Sequence, residues 1–228
     1  MKIIASDFDN TLFVKDEKIV KKNIESINSF IKKGNIFIVV TGRMYTDLKQ
    51  ELDKHNIKYS YLICEDGTKI FNNLDYSIKD YLLPTEKVER IEEIFKERNL
   101  DCFLDDGYNI TNNKNDCIKI NSKITDREIY TKLLEEIKSK VDVYAYLSRE
   151  YLNITDSEAS KSIALKYLLD NEKYSLNDLY VIGDDVNDVE MIKDFNGYTM
   201  TNHTDLLDGV GKKEFATLSD FIDYVEKI

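Results

Sequence analysis

Short, continuous apolar runs alternate along this chain with longer stretches in which apolar residues recur every third or fourth position. The run over 3–5 reads as a strand buried on both faces, as a central parallel strand is. Over 19–33 the residues Ile24, Ile27, Phe30 and Ile31 share one helical face, and Gly34 is a natural stop. A strand over 36–40, a helix over 44–55 and a strand over 59–64 follow. Glu65-Asp66-Gly67-Thr68 reads as a tight turn into a short strand over 69–71, because Asp-Gly favours hairpins. Strand and helix alternating through short links predict a doubly wound α/β sheet.

The pattern changes at Pro84, the only proline. From there the periodicity gives a helix over 85–98, strands over 101–104 and 117–120, a second helix over 125–140, and strands over 141–147 and 151–154. That is an αββ unit twice over, with the Asn-, Asp- and Gly-rich 105–116 as a loop. The expected organisation is an α/β core of 1–83 and 155–228 with an inserted α+β domain over 84–154. The alternation then resumes with a helix over 160–169 whose Ile163, Ala164, Tyr167 and Leu168 point inward. Strands over 179–182 and 197–200 come next, and a closing amphipathic helix carries Leu218, Phe221, Ile222 and Val225.

A length of 228 residues suits one large domain or a core with an insert. The net charge of −11 argues against nucleic acid, whose binding is driven by Lys and Arg on phosphates. It does not argue against a small anionic substrate, because a metal or local cations can set the field at a site. Cys64, Cys102 and Cys117 lack metal-ligand spacing and read as small buried hydrophobes in a reducing compartment. The opening apolar run stops at Asp7, short of a signal-peptide core, and no run approaches the roughly 18 residues that span a bilayer. A soluble, cytoplasmic protein without membrane or nucleic-acid partners is expected, as a monomer or homodimer.

Chemistry concentrates at predicted strand ends, where ligands of open α/β sheets gather. Asp7 and Asp9 end the first strand on one face. Thr41 and Gly42 follow the second strand in Val-Val-Thr-Gly-Arg, Lys161 opens a helix, and Gly183-Asp184-Asp185-Val186-Asn187-Asp188 follows the strand over 179–182. Singly, each has a plain structural reading. An Asp-x-Asp or Thr-Gly can turn the chain, Asp184 and Asp185 can cap a helix, and Lys161 is one of many lysines. Arg43 and Asp47 read as surface or structural pairs, and His55 and His203 as peripheral.

Taken together and in this order, the four segments resemble the motifs of the haloacid dehalogenase superfamily, in particular its Cof-like, type IIB capped group. The insert falls between the second and third motifs, where that group carries its cap. The resemblance implies a Rossmann-like core and a phosphatase acting on a small phosphorylated metabolite, either a sugar phosphate or a phosphorylated small acid. By the same resemblance Asp7 attacks phosphorus to form an aspartyl-phosphate, and Asp9 serves as general acid and base. Thr41 and Gly42 bind phosphoryl oxygens, Lys161 neutralises the transferring group, and Asn187 holds the phosphoryl group or a metal water. Asp188 orients Lys161. Mg²⁺ is held by the Asp7 and Asp184 carboxylates and the Asp9 main-chain carbonyl. Converging carboxylates repel by about 4 kcal/mol per pair at ~4 Å and an effective dielectric of ~20, so a divalent cation with oxygen ligands fits.

Three features depart from the group. Asn10 replaces a usual Gly, Asp66-Gly67 replaces a frequent Asn-Gly, and the insert is short, closer in size to archaeal-type phosphoglycolate phosphatases. Capped sugar phosphomutases use the same aspartyl-phosphate, which steady phosphate release would distinguish. A non-catalytic phospholigand-binding protein is a third reading, opposed by retention of the acids, the Thr and the Lys. Insert residues Lys114, Lys119 and Lys123 are candidates for holding an anionic substrate tail.

Overall fold

The computed structural model describes all 228 residues. The first half of the core contains β1 (Ile3–Asp7), α1 (Glu17–Lys32), β2 (Ile36–Val40), α2 (Tyr45–Lys54), β3 (Tyr61–Cys64), β4 (Lys69–Asn72) and β5 (Ser77–Asp80). Next come α3 (Thr85–Glu97), β6 (Phe103–Asp105), β7 (Ile110–Thr111), β8 (Lys119–Lys123), α4 (Arg127–Lys140), β9 (Val143–Ser148) and β10 (Tyr151–Asp156). The chain closes with α5 (Lys161–Glu172), β11 (Leu179–Gly183), α6 (Val189–Asp194), β12 (Tyr198–Met200), β13 (Glu214–Phe215) and α7 (Leu218–Lys227).

Eight strands form one sheet in the order β13-β12-β11-β1-β2-β3-β4-β5. Its strands are parallel up to β3, and β4 and β5 add antiparallel. The N-terminal strand lies at the centre, with Ile3 opposite Leu179 on one side and Ile36 on the other. Alternation along β1 divides the core into two layers. Ile4 joins Ile27 and Phe30 of α1 and Phe221 and Ile222 of α7, while Ile3 and Ala5 join Leu165, Leu168 and Leu169 of α5. Each such buried side chain stabilises the fold by about 1.5–3 kcal/mol, which fixes the ends of β1, β2 and β11 as one rigid rim.

The second sheet runs β7-β6-β8-β10-β9 and is antiparallel. It packs on α3 and α4 through a separate apolar cluster that includes Val88, Ile91, Leu133, Ile137, Ile120 and Ile154. The α4 helix is capped by Asp126, which accepts from the N–H groups of Glu128 and Ile129.

Short elements differ from expectation. The pairs β7 and β13 have two residues each, too few to show a period, and β5 is polar and partly exposed. β8 begins at Lys119 instead of 117 because the Cys117 carbonyl accepts from Leu83 N–H and is turned away from the ladder. In α5 the expected inward face was too narrow. Lys161, Ser162, Leu165 and Leu169 are buried with Ala164 and Leu168, whereas Ile163 and Tyr167 are half-buried. The turn at residues 65–67 presses against the start of this helix. Gly67 has φ +105°, and a Cβ there would lie 2.2 Å from the Ser160 carbonyl oxygen, so no larger residue fits. Cys64 and Cys117 are buried as expected, and Cys102 is half-buried. No helix is long and apolar enough to cross a membrane.

Candidate active site

The carboxyl ends of β1, β2, β3 and β11 bring together most of the residues singled out in the sequence. Asp7, the last residue of β1, is 5% exposed, and its Oδ1 accepts from Lys161 Nζ at 2.6 Å. The same ammonium donates to Asp188 Oδ1 at 2.7 Å. Asp188 Oδ2 in turn accepts the N–H groups of Asp184 and Asp185, so Asp188 both fixes Lys161 and holds the turn after β11. Asp184 accepts from Thr11 Oγ1 at 2.9 Å and Asn10 Nδ2 at 3.3 Å. Asn10 has φ 60°, the left-handed geometry that Asn tolerates better than most side chains.

Oxygens of Asp7, Asp184 and Asp188 all lie within 4.8 Å of one another. Burial raises the Asp7 carboxyl well above its ordinary range, with Lys161 opposing and Asp188 and Asp184 adding to the rise. Burial and Asp188 push Asp184 up to about 6. Burial pulls the Lys161 ammonium down, but Asp188, Asp7 and Asp66 outweigh it and keep the group charged. One cation among three buried acids leaves negative charge uncompensated, and an all-oxygen donor set of this kind fits a hard divalent cation. Asp188 is tied to Lys161 and to two backbone N–H groups. Asp184 accepts only from the Thr11 hydroxyl and the Asn10 amide, and Asp7 keeps Oδ2 without a partner, so Asp7 and Asp184 are the carboxylates better placed to serve it.

The Asp9 side chain is held apart from this cluster. Arg43 grips it with two bonds, Nε to Oδ2 at 2.7 Å and Nη2 to Oδ1 at 2.6 Å, and the guanidinium lies 5.0 Å from the Phe8 ring centre. Arg43 is thus a partner of a candidate catalytic acid, a role its neighbourhood in the sequence did not reveal. Thr41 is 1% exposed, and its Oγ1 accepts from Arg43 N–H at 3.2 Å. Gly42 offers its carbonyl to Lys119 Nζ at 3.0 Å, and a Cβ on Gly42 would come within 2.9 Å of Asp66 Oδ1. Asn187 donates from Nδ2 to Asp66 Oδ1 at 2.8 Å.

Asp66 is the centre that sequence reasoning missed. It is fully buried, and it joins two strands of the second sheet to the first: Lys119 Nζ donates to Oδ2 at 2.6 Å and the Tyr146 hydroxyl to Oδ1 at 2.7 Å. Burial favours its neutral form, but Lys119 and Lys161 outweigh that and hold Asp66 below the usual carboxylate range. Glu65 and Asp66 both sit at positive φ, 50° and 58°. Such strain in non-glycine residues persists where surrounding bonds over-determine it, as the three donors to Asp66 and the Gly67 contact do here. The only hint in the sequence was an acid where the motif's relatives often have Asn. Asp185 caps the short turn at 186–188 and accepts from Ser148 Oγ of β9 at 2.7 Å, a second link between the sheets.

Of the insert lysines, Lys119 is buried and its protons go to protein acceptors, Lys114 pairs with Glu92, and Lys123 lies 3.8 Å from Glu150. Between the two sheets lies a cavity of about 820 Å³, lined by Asp7, Asp9, Thr41, Gly42 and Asn187 on one side and by β6, β8, β9 and β10 on the other. Asp184 and Lys161 do not line it and meet it through Asp7. His55 and His203 stand away from it, His203 Nδ1 lying 2.8 Å from the Thr204 carbonyl.

A largely parallel sheet with acids at its strand ends and a cavity beside them is the arrangement of an α/β protein that takes its ligand at the carboxyl ends of its strands. The family model for haloacid dehalogenase-like hydrolases matches residues 4–116 and 105–217, and the chain belongs to that family. Among curated relatives, it is 22% identical over 218 residues to the 5-amino-6-(5-phospho-D-ribitylamino)uracil phosphatase of Bacillus subtilis, covering 91% of this chain and 86% of that protein. It is 23% identical over 220 residues to the HMP-PP phosphatase of Yersinia pseudotuberculosis, with 84% and 80% covered. A haloacid dehalogenase-like hydrolase from B. subtilis shares the fold with a TM-score of 0.85 at 15% identity over all of both chains. A subclass IIB sugar phosphatase of the superfamily does so with a TM-score of 0.81 at 17% identity, again over all of both.

Proposed function

We propose that this enzyme is a Mg²⁺-dependent phosphatase that hydrolyses the phosphate monoester of a small metabolite through an aspartyl-phosphate on Asp7. The observation that carries the reading is the convergence of Asp7, Asp184 and Lys161 beneath one cavity of molecular size. That its curated relatives are named as phosphatases supports it. Residues 84–154 serve as a cap over a core of 1–83 and 155–228, a division supported by their separate apolar cluster and by the bonds of Lys119 and Tyr146 to Asp66.

In the first step an Asp7 carboxylate oxygen forms a bond to phosphorus and the ester P–O bond breaks, with the departing oxygen taking a proton from Asp9. In the second, water attacks the same phosphorus, its proton passes to Asp9, and phosphate leaves as the Asp7 carboxylate is restored. Asp9 is engaged by Arg43 on both oxygens, so each proton transfer requires it to leave that guanidinium. Thr41 donates from Oγ1 to a phosphoryl oxygen, and Lys161 stabilises charge on the transferring group while Asp188 fixes its position. Asp7 and Asp184, with the Asp9 carbonyl, would hold Mg²⁺, which when bound offsets the acids and the phosphoryl oxygens.

The test is release of inorganic phosphate from a panel of phosphometabolites with Mg²⁺, with excess chelator, and with Mg²⁺ restored. Continuous release that chelation stops and Mg²⁺ restores is expected. Full activity in chelator removes the metal, and isomerisation without phosphate release identifies a sugar phosphomutase instead.

A further inference from the structure

Buried charge between the two sheets is out of balance. Three carboxyls meet around the Lys119 ammonium of β8: Glu65 and Asp66 from the turn after β3, and Asp105 of β6, opposite Lys119 in the ladder. All four residues are at most 3% exposed. Burial pulls Lys119 down, but Asp66, Glu65 and Asp105 outweigh it and keep it charged. The other groups near Glu65 add no free cation. Lys69 of β4 pairs with Asp80 at 3.2 Å, and Lys161 at the start of α5 is held by Asp7 and Asp188. Arg43, whose carbonyl accepts from Glu65 N–H, grips Asp9, and burial raises the neighbouring Cys64 thiol. One ammonium neutralises one carboxylate, and a further buried acid sheds its charge by taking up a proton.

The hydrogen bonds show which acid gives way. Asp66 is the best served, since Lys119 Nζ, the Tyr146 hydroxyl and the Asn187 amide all donate to it. Asp105 accepts from Gly107 N–H at 2.6 Å on Oδ1 and from nothing on Oδ2. Glu65 has only Lys119 Nζ, 3.3 Å from Oε2, and nothing on Oε1. A buried carboxylate stays charged where donors cover its oxygens, and Glu65 is covered least. Burial, with Asp105 and Asp66 adding to it against Lys119, pushes Glu65 up to about 8. Burial raises Asp105 too, against Gly107 N–H and Lys119. A proton on Glu65 removes one negative charge from the cluster and turns an orphaned acceptor into a donor.

We propose that a proton on Glu65 locks the inserted sheet to the core, and that its loss as pH rises loosens the insert along β6 and β8. Glu65 and Asp66 belong to the core, Asp105 and Lys119 to the insert, so ionisation of Glu65 puts uncompensated negative charge on the seam itself. Separation of the two sheets lets water reach all four groups and relieves it. The sign follows from linkage. In the docked state Glu65 is raised above its ordinary value of 4.5, so its contribution to docking is complete below that value and is lost as pH rises to about 8. Between those limits undocking gains up to about tenfold per pH unit, and above them nothing more. Asp105, also raised, acts with the same sign, whereas the lowered Asp66 acts only at more acid pH. The lock is independent of which ester the cavity takes.

The proton and the lock are tested separately on the full chain. With glutamate carboxyls labelled with carbon-13, the aspartates are silent, and one resonance should titrate near pH 8 in the wild type and be missing from Glu65→Gln. A wild type in which no glutamate titrates above pH 7 overturns the proposal without any variant. Docking is read by amide hydrogen exchange, corrected for its intrinsic pH dependence, in peptides covering 65–68 and 118–119, which face each other across the seam. These amides should be less protected than those of α1, because the insert opens short of global unfolding. Between pH 6 and 8 their protection should fall by roughly fiftyfold more in the wild type than in Glu65→Gln, the factor that one proton bound at about 8 contributes. Seam amides as well protected as those of α1, or the same loss of protection in a folded Glu65→Gln variant, overturn the lock.

Discussion

Lys119→Met removes the ammonium that Asp66 and Glu65 share, while keeping the length and apolar stem of the side chain. Deleting one member of a buried ion pair costs about 3–5 kcal/mol, because the other is left as an uncompensated charge. Two features place this case at the lower end. Glu65, at about 8, is mostly protonated at neutral pH and loses little. Asp66 keeps the Tyr146 hydroxyl and the Asn187 amide on Oδ1. A loss of about 3 kcal/mol in a chain of this size lowers Tm by roughly 6–12 °C. The pH dependence carries a definite sign. In the wild type Asp66 is held below its ordinary range, so its contribution is present above about pH 4 and is lost as the pH falls through its depressed value. In the variant, burial acts without Lys119 and raises Asp66, so the folded state binds a proton that the unfolded chain does not. Stability of the variant then falls as pH rises from about 4, and the gap from wild type closes on acidification. Thermal unfolding followed by circular dichroism at about pH 7 and about pH 5 measures the gap directly. A variant as stable as the wild type at neutral pH, or a gap that widens in acid, would refute the account of Asp66 as a buried anion neutralised from the second sheet.

Asp7→Asn should abolish phosphate release while leaving the far-ultraviolet spectrum intact, and more than trace activity would remove Asp7 as the attacking group. Asp9→Asn should slow turnover by roughly 10²-fold or more, with trapped phosphoenzyme detectable by acid quench and mass measurement. Phe30→Ala, deep between α1 and the large sheet, should cost about 3–5 kcal/mol in denaturant unfolding with no change in substrate preference.

Much of the core was legible because its strands are short apolar runs and its helices carry one clean stripe. The motif residues were legible because strand ends are where a doubly wound sheet puts chemistry, and Asp7, Thr41, Lys161, Asp184 and Asn187 all do gather there. What could not be read was anything settled across the two sheets. Lys119 looked like a surface cation for a substrate and is instead a buried partner of Asp66. Asp66 looked like a turn residue, since nothing local announces that donors from residues 119, 146 and 187 will meet on it. The width of the α5 face failed for the same reason: its first turn is buried by a loop nearly a hundred residues earlier, around Gly67.

The central position of β1 has a consequence for how the chain is made. Ile3 leaves the ribosome 176 residues ahead of Leu179, its partner on one side. At synthesis rates of 5–20 residues per second, that strand waits roughly 9–35 s with one edge unpaired. Throughout that interval an apolar segment ending in Asp7 and Asp9 can add foreign strands to its open side, and the pair's charge is a local deterrent to it. The acids proposed to break a phosphate ester in the finished enzyme would then also guard the growing chain against aggregation.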